Sequence, residues 1–172
     1  MAGSLKLDYI ADSTLTQTNL DAVASSATLV AGWTSGSVDN TANEYTDYLV
    51  AAKFLLESAG LSAGEIRVYA YAALDDTPTW PDLFSAGTEG TEGTATVHDT
   101  EIRDSGMVLL WQTQTDTGAS DPYTMPPTSI AAAFGSVPRL FALFVTQSSG
   151  AALESTGDPN QVYLQPEIGQ YT

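Results

Sequence analysis

The chain has 172 residues, 43% of them hydrophobic, and 21 acidic against 5 basic side chains, for a formal net charge of −16. That length suits one domain with a sizeable core, and the scattered cations Lys6, Lys53, Arg67, Arg103 and Arg139 form no patch for a phosphate backbone. The absence of cysteine excludes disulfides, thiolate catalysis and cysteine-ligated zinc.

Residues 1–26 are rich in Ser, Thr, Asp and Ala and read as an N-terminal arm with little core of its own. Within it Leu5, Leu7 and Tyr9 alternate as in a short strand, and Thr18–Ser26 admits either a helical turn or a loop. Residues 27–172 read as the folded domain. Ala27–Thr34 is its first apolar strand. Tyr45–Glu57 alternates Tyr48, Val50, Ala52, Phe54 and Leu56 against Leu49, Ala51, Lys53 and Leu55. Its Ala, Lys, Leu and Glu also suit a helix, but the clean alternation favours a strand with Phe54 inward.

Gly64–Asp76, GEIRVYAYAALDD, is the clearest element. Ile66, Val68, Ala70, Ala72 and Leu74 fall on one face and Arg67, Tyr69, Tyr71 and Ala73 on the other, a period of two. Asp75-Asp76-Thr77-Pro78 ends it as a turn. A long loop follows, with Trp80 between Pro78 and Pro81 and a tandem TEG in Ser85–Thr94 that reads as flexible and acidic. Thr96–Ser105 is ambiguous. Met107–Thr115 and Pro138–Gln147 are strands, with Tyr123–Pro127 and Ser129–Phe134 between them. Gln161–Ile168 closes the domain, and its Pro166 argues for an edge position or a strand end.

Seven to eight strands between turn-rich loops, without long helices, predict an all-β fold: an antiparallel β-sandwich of jelly-roll type with an N-terminal arm. Several strands are apolar on both faces. Such strands need a cover on each side: the opposite sheet, and a loop or a neighbouring subunit. Arg67, Tyr69 and Tyr71 read as a contact surface, the competing reading being that the Thr77–Thr94 loop packs over the tyrosines.

Chemistry-bearing motifs are sparse. His98 is the single histidine, in a polar stretch, with no Gly-x-Ser-x-Gly elbow anywhere. Asp75-Asp76 and the group Asp99, Glu101 and Asp104 are carboxylate pairs of the kind glycosidases use, but among 21 acids turn formation and solvation explain them better. Asp39-Asn40 and Asp158-Pro159-Asn160 offer calcium-type oxygen ligands without EF-hand spacing, and turns explain both equally. Trp33 and Trp111 lie in strands and belong to the core. Trp80 is the aromatic with a chance of exposure, which raises carbohydrate binding, although a loop plug is the stronger expectation. The TEGTEG stretch lacks the Gly-Lys-Ser/Thr ending of a phosphate cradle. No catalytic, cofactor-binding or metal site is expected.

Four segments resemble a family. They are Asp39-Asn40-Thr41 with Asp47-Tyr48-Leu49, Glu65–Pro78, Phe141–Leu153 and Val162–Pro166. Together they look like small acidic virion structural proteins of tailed bacteriophages, over most of residues 28–168. The resemblance implies a capsid decoration, cement or knob protein. Its expected partners are the major capsid protein and copies of itself, as dimer or trimer. It implies neither nucleic acid nor membrane as partner. The place is the capsid surface of the virion, after synthesis in the host cytoplasm. Alternatives are a tail or baseplate component, or a carbohydrate-binding module for a host or surface glycan. Interface candidates are Arg67, Tyr69, Tyr71 and Trp80.

Overall fold

A computed structural model describes residues 5–10, 13–75, 77–118, 121–157 and 159–171. The chain is all-β, with two antiparallel sheets and two short helices among the described residues. Eight principal strands run in order: β1 (Leu5–Tyr9), β3 (Ala31–Thr34), β5 (Asp47–Phe54), β6 (Gly64–Ala72), β8 (Val108–Thr115), β9 (Tyr123–Ser129), β10 (Leu140–Gln147) and β11 (Gln161–Tyr171). Three shorter ones, β2 (Ser13–Thr14), β4 (Val38–Asp39) and β7 (Gly93–Thr96), lengthen the edges. The helices are α1 (Thr100–Gly106) and α2 (Ile130–Phe134).

Sheet A has the order β1-β11-β5-β9, with β2 also on β11. Sheet B has the order β7-β3-β10-β6-β8, with β4 also on β10. The principal strands pair in a nested way: β1 with β11, β3 with β10, β5 with β9, and β6 with β8. Neither sheet closes into a barrel.

The sheets face each other across one core. β5 buries Tyr48, Val50, Ala52 and Phe54 and exposes Lys53, so the strand reading of Tyr45–Glu57 holds against the helical one. Opposite lie Ile66, Val68 and Ala70 of β6 with Phe141, Leu143 and Val145 of β10. Trp33 is fully buried here, and Trp111 stacks on Phe54 with ring centroids 6.3 Å apart. Every residue of β10 is buried. This is the physical meaning of its two apolar faces: a central strand covered on both sides.

The described residues among the first 26 are tied into the sandwich. β1 pairs with β11, and Leu20 and Val23 are buried in the main core. The Gln17 side-chain amide donates to the carbonyl of Val162 (2.7 Å) and accepts its N–H (2.8 Å), imitating one rung of a β-ladder. Buried Gln147 donates to the carbonyls of Val23 and Ala151, binding this segment to the end of β10.

Pro166 departs from the edge expectation, because β11 lies inside sheet A between β1 and β5. Its carbonyl accepts from Ile10 N–H, so its backbone faces the β1 side, where β1 has ended at Tyr9. Glu167 beside it serves β5, accepting from Thr46 N–H. The proline therefore falls on the one side of the strand where an N–H is dispensable.

The ambiguous Thr96–Ser105 stretch holds the last residue of β7, a bridge from Val97 to Phe84, and most of α1. Asp99 is its N-cap, accepting from Ile102 N–H at 2.7 Å. Ser129 caps α2 by accepting from Ala132 N–H at 2.9 Å, and Gly135 at φ 83° ends that helix.

Candidate functional site

The predicted interface residues share the outer face of sheet B. On β6, Arg67, Tyr69 and Tyr71 alternate with core residues, as a period of two requires. What covers them corrects the expectation of a contact surface. Tyr69 is 2% exposed and Tyr71 0%, in a second core with Leu83, Phe84, Val97, Met107 and Phe144. The chain between β6 and β8 folds back over its own sheet and supplies that cover. The physical reason is local: tyrosines two apart on one sheet face are best covered by the loop that follows them, which needs no second molecule.

The cover is aromatic and hydrogen-bonded. Tyr71 meets Phe84 edge-on at 5.5 Å and Trp80 edge-on at 5.4 Å, and Phe84 packs on Phe144 at 5.5 Å. The Tyr71 hydroxyl lies 2.6 Å from Thr34 Oγ1 and accepts from Gly90 N–H at 3.0 Å. Burial pushes its pKa up to about 12, against the lowering effect of those two hydrogen bonds. Trp80 is half-buried, closed down on Gly90. That residue sits at φ 69°, and a Cβ there would lie 2.5 Å from the indole ring. The plug reading of Trp80 describes this packing.

The TEGTEG stretch is pinned, which corrects its reading as flexible. Glu89 accepts from the backbone N–H groups of Leu83 (2.8 Å) and Phe84 (2.6 Å). Glu92 accepts from the Trp33 indole (2.8 Å) and from the backbone and side chain of Asn19 (both 2.9 Å). Burial works to raise the Glu92 pKa, but the donors from Trp33 and Asn19 outweigh it and hold the group below its usual range. Each repeat thus supplies one carboxylate that fixes the loop.

Two cations flank Tyr69. Arg67 pairs with Glu65 at 2.7 Å and donates to the Tyr69 hydroxyl at 3.1 Å, and these bonds keep it firmly charged despite burial. Among the described residues its Nε is buried without a hydrogen-bond partner. Arg103, 4% exposed, lies 5.7 Å from the centre of the Tyr69 ring. It donates to the carbonyls of Thr28 and Leu29 and to Asp104. Arg103 thereby ties α1 to the segment before β3, while Arg67 bonds within β6.

The remaining candidates have local jobs. His98 is exposed and meets Asp82 at 3.3 Å. Asp75 accepts from Thr79 N–H and Oγ1, closing the turn after β6, and Asp76 lies outside the described residues. Asp39 accepts from Thr41 twice, which lowers its pKa, and Asn40 bonds both the N–H and the carbonyl of Tyr45. Asn160 accepts from Leu55 N–H and donates to Asp21 and Glu154, while Asp158 lies outside the described residues. Among the described residues no three metal-type side chains gather.

The surface that sequence reading passed over is the outer face of sheet A. Leu49 and Ala51 of β5 and Gln161, Tyr163 and Gln165 of β11 lie there side by side, with Lys53 at one end. Tyr163 is 43% exposed. The signal was in YLVAAKF, whose outward positions before Lys53 are uncharged in a chain of −16. No protein-family model matches this chain, and no curated protein or solved structure matches it.

Proposed function

We propose that this chain is a non-enzymatic structural protein of a tailed-bacteriophage virion. It sits on the capsid surface, held by the major capsid protein and by copies of itself. The observation that carries this reading is the nested pairing of β1 with β11, β3 with β10, β5 with β9 and β6 with β8. A single antiparallel ribbon wrapped in that order has the pattern of a jelly roll, an architecture recurrent in capsid and lectin domains. Architecture alone names no function. The virion resemblance of Glu65–Pro78, Phe141–Leu153 and Val162–Pro166 narrows it.

The outer face of sheet A is the capsid-facing surface in this reading. It carries a neutral patch around Tyr163, made by Leu49, Ala51, Gln161 and Gln165 and bounded by Lys53 at one end and by Asp47 and Glu167 at the other. The carbohydrate-binding alternative leaned on Trp80, whose ring packs on Tyr71 and Gly90. A tail or baseplate position differs only in the partner.

The test is co-sedimentation of the purified chain with expanded capsids that lack it. Saturable binding at a fixed copy number per capsomer is expected, with loss in Tyr163→Asp. Failure of the folded wild-type chain to bind capsids, with binding to isolated tails, would move the protein to the tail; binding to neither would end the virion reading.

A further inference from the structure

We propose that two copies of this chain pair antiparallel along the outer edge of β8, about a two-fold axis at Thr113. The proposal deepens the self-contact in the virion reading by naming its site and symmetry.

β8 is the terminal strand of sheet B on the β6 side. Its edge chemistry follows from the strand next to it. Glu65 accepts Ser148 N–H with its carbonyl (2.9 Å) and gives its own N–H to Ser148 Oγ (3.1 Å), so its backbone faces the β10 side. Alternation then turns Ile66 towards β8 and its partner Thr113 back towards β6. Gln112 and Gln114 are left with N–H and C=O directed outward, and both residues are exposed. An outward row of donors and acceptors is a template for another strand.

Two other edges of the sandwich are guarded. On the same side, β9 carries Pro126 and Pro127, which lack N–H groups. At the far side of sheet B, β7 is only four residues long and begins at Gly93. β8 carries neither proline nor charge from Val108 to Thr115. Its bulge lies at the β6 Val68/Tyr69 register shift, which leaves Trp111–Thr115 as the regular run.

That run is suited to a copy of itself. Gln112-Thr113-Gln114 reads the same in both directions. With the axis at Thr113, Gln112 of each copy meets Gln114 of the other, Trp111 meets Thr115, and Thr113 meets Thr113. Each Gln112–Gln114 pair exchanges two backbone hydrogen bonds, and Thr113 becomes the central non-hydrogen-bonded pair. No acidic side chain opposes another along the run, which matters in a chain of −16. Two-fold pairing of identical edges closes on itself, so it yields a dimer and no fibre.

The chain's lack of cysteine supplies a clean test. Across a non-hydrogen-bonded pair the Cα atoms lie about 4.5 Å apart, within the span of a disulfide. Thr113→Cys under mild oxidation is expected to form a covalent dimer, whereas Gln165→Cys on sheet A stays monomeric on a non-reducing gel. Sedimentation velocity at high micromolar concentration is expected to show a wild-type dimer. Gln114→Pro is expected to be monomeric with an unchanged far-UV spectrum, because the N–H it removes points away from β6 and serves no bond among the described residues. A wild-type monomer, a trimer, equal cross-linking at both cysteine sites, or a folded Gln114→Pro that still dimerises would overturn the proposal. Should Gln114→Pro fail to fold, the cysteine pair decides. Monomeric protein that still co-sediments with capsids would defeat the edge pairing and leave the virion reading in place; a dimer that ignores virions would do the opposite.

Discussion

The two sheets share one core and differ in what lies over their other faces. Outside sheet B, residues from Trp80 to Met107 build a second core on Tyr69, Tyr71 and Phe144. Outside sheet A, Tyr163 stands 43% exposed beside Ala51, Gln161 and Gln165. The outward positions of β6 are aromatic and basic, which gives a loop rings to pack on and hydroxyls to bond. Outward on β5 and β11, between Leu49 and Lys53, the one ring is Tyr163, and it stays exposed. A face that covers itself contributes to stability; a face left bare is available to a partner.

The sharpest way to break this comparison is to remove the anchors. The Tyr69→Ser, Tyr71→Ser double variant is expected to lose at least about 4 kcal/mol, since each substitution empties a buried aromatic site. Urea denaturation measures it; an unchanged midpoint with altered assembly would restore Tyr69 and Tyr71 as surface residues.

Gly90→Ala comes next. The φ of 69° and the 2.5 Å approach of the new Cβ to Trp80 force the ring or the turn to move. A loss of about 1–3 kcal/mol is expected. Tryptophan fluorescence should report the displacement of Trp80, and a native-like spectrum at full stability would show the cover to be loose.

Alkaline pH probes the same seal without mutation. Tyr71 and Tyr48 both have pKa values pushed up to about 12 by burial, from an ordinary value of 10. Between those values the unfolded chain loses protons that the folded chain retains, so stability falls as pH rises through that window and is complete below it. Tyr71→Phe should flatten this part of the stability–pH curve.

Glu92→Gln is expected to cost about 1 kcal/mol, through weaker bonds to the Trp33 indole and Asn19. The wild-type group, held below its ordinary pKa, contributes stability above that ordinary value, and the contribution fades as pH falls through the folded one. Chemical denaturation of both proteins at neutral and acid pH reads this difference, which should shrink in acid. Smallest of all is Tyr163→Ser on the bare face. Its effect on stability should stay within about 0.5 kcal/mol, and under the proposed virion reading it should weaken co-sedimentation with capsids; a large loss of stability would mean that sheet A too is covered.

Much of the fold was legible because strand burial has a period of two. Alternation in Tyr45–Glu57 and Gly64–Asp76 placed Val50, Phe54, Ile66 and Val68 inward, and the unbroken apolar run of Leu140–Val145 announced a strand covered twice. The uncharged outward positions around Ala51 were present in the same pattern. What the pattern could not say was which body covers a doubly apolar strand. A loop of the same chain and a neighbouring molecule demand the same residues, and only the path of residues 77–107 distinguishes them. The roles of Glu89 and Glu92 were hidden for a related reason: a carboxylate in a Gly-rich acidic stretch looks solvated until the N–H groups it accepts from are placed beside it.

By itself, then, the sequence determined the all-β class, the inward faces of the central strands and the lack of a basic or thiol chemistry, since these follow from periodicity and composition. Tertiary structure alone decided the nested strand pairing, the burial of Tyr69 and Tyr71 and the open edge at Gln112–Gln114. Those depend on which distant segments meet, and contacts between distant segments leave no local period in the chain.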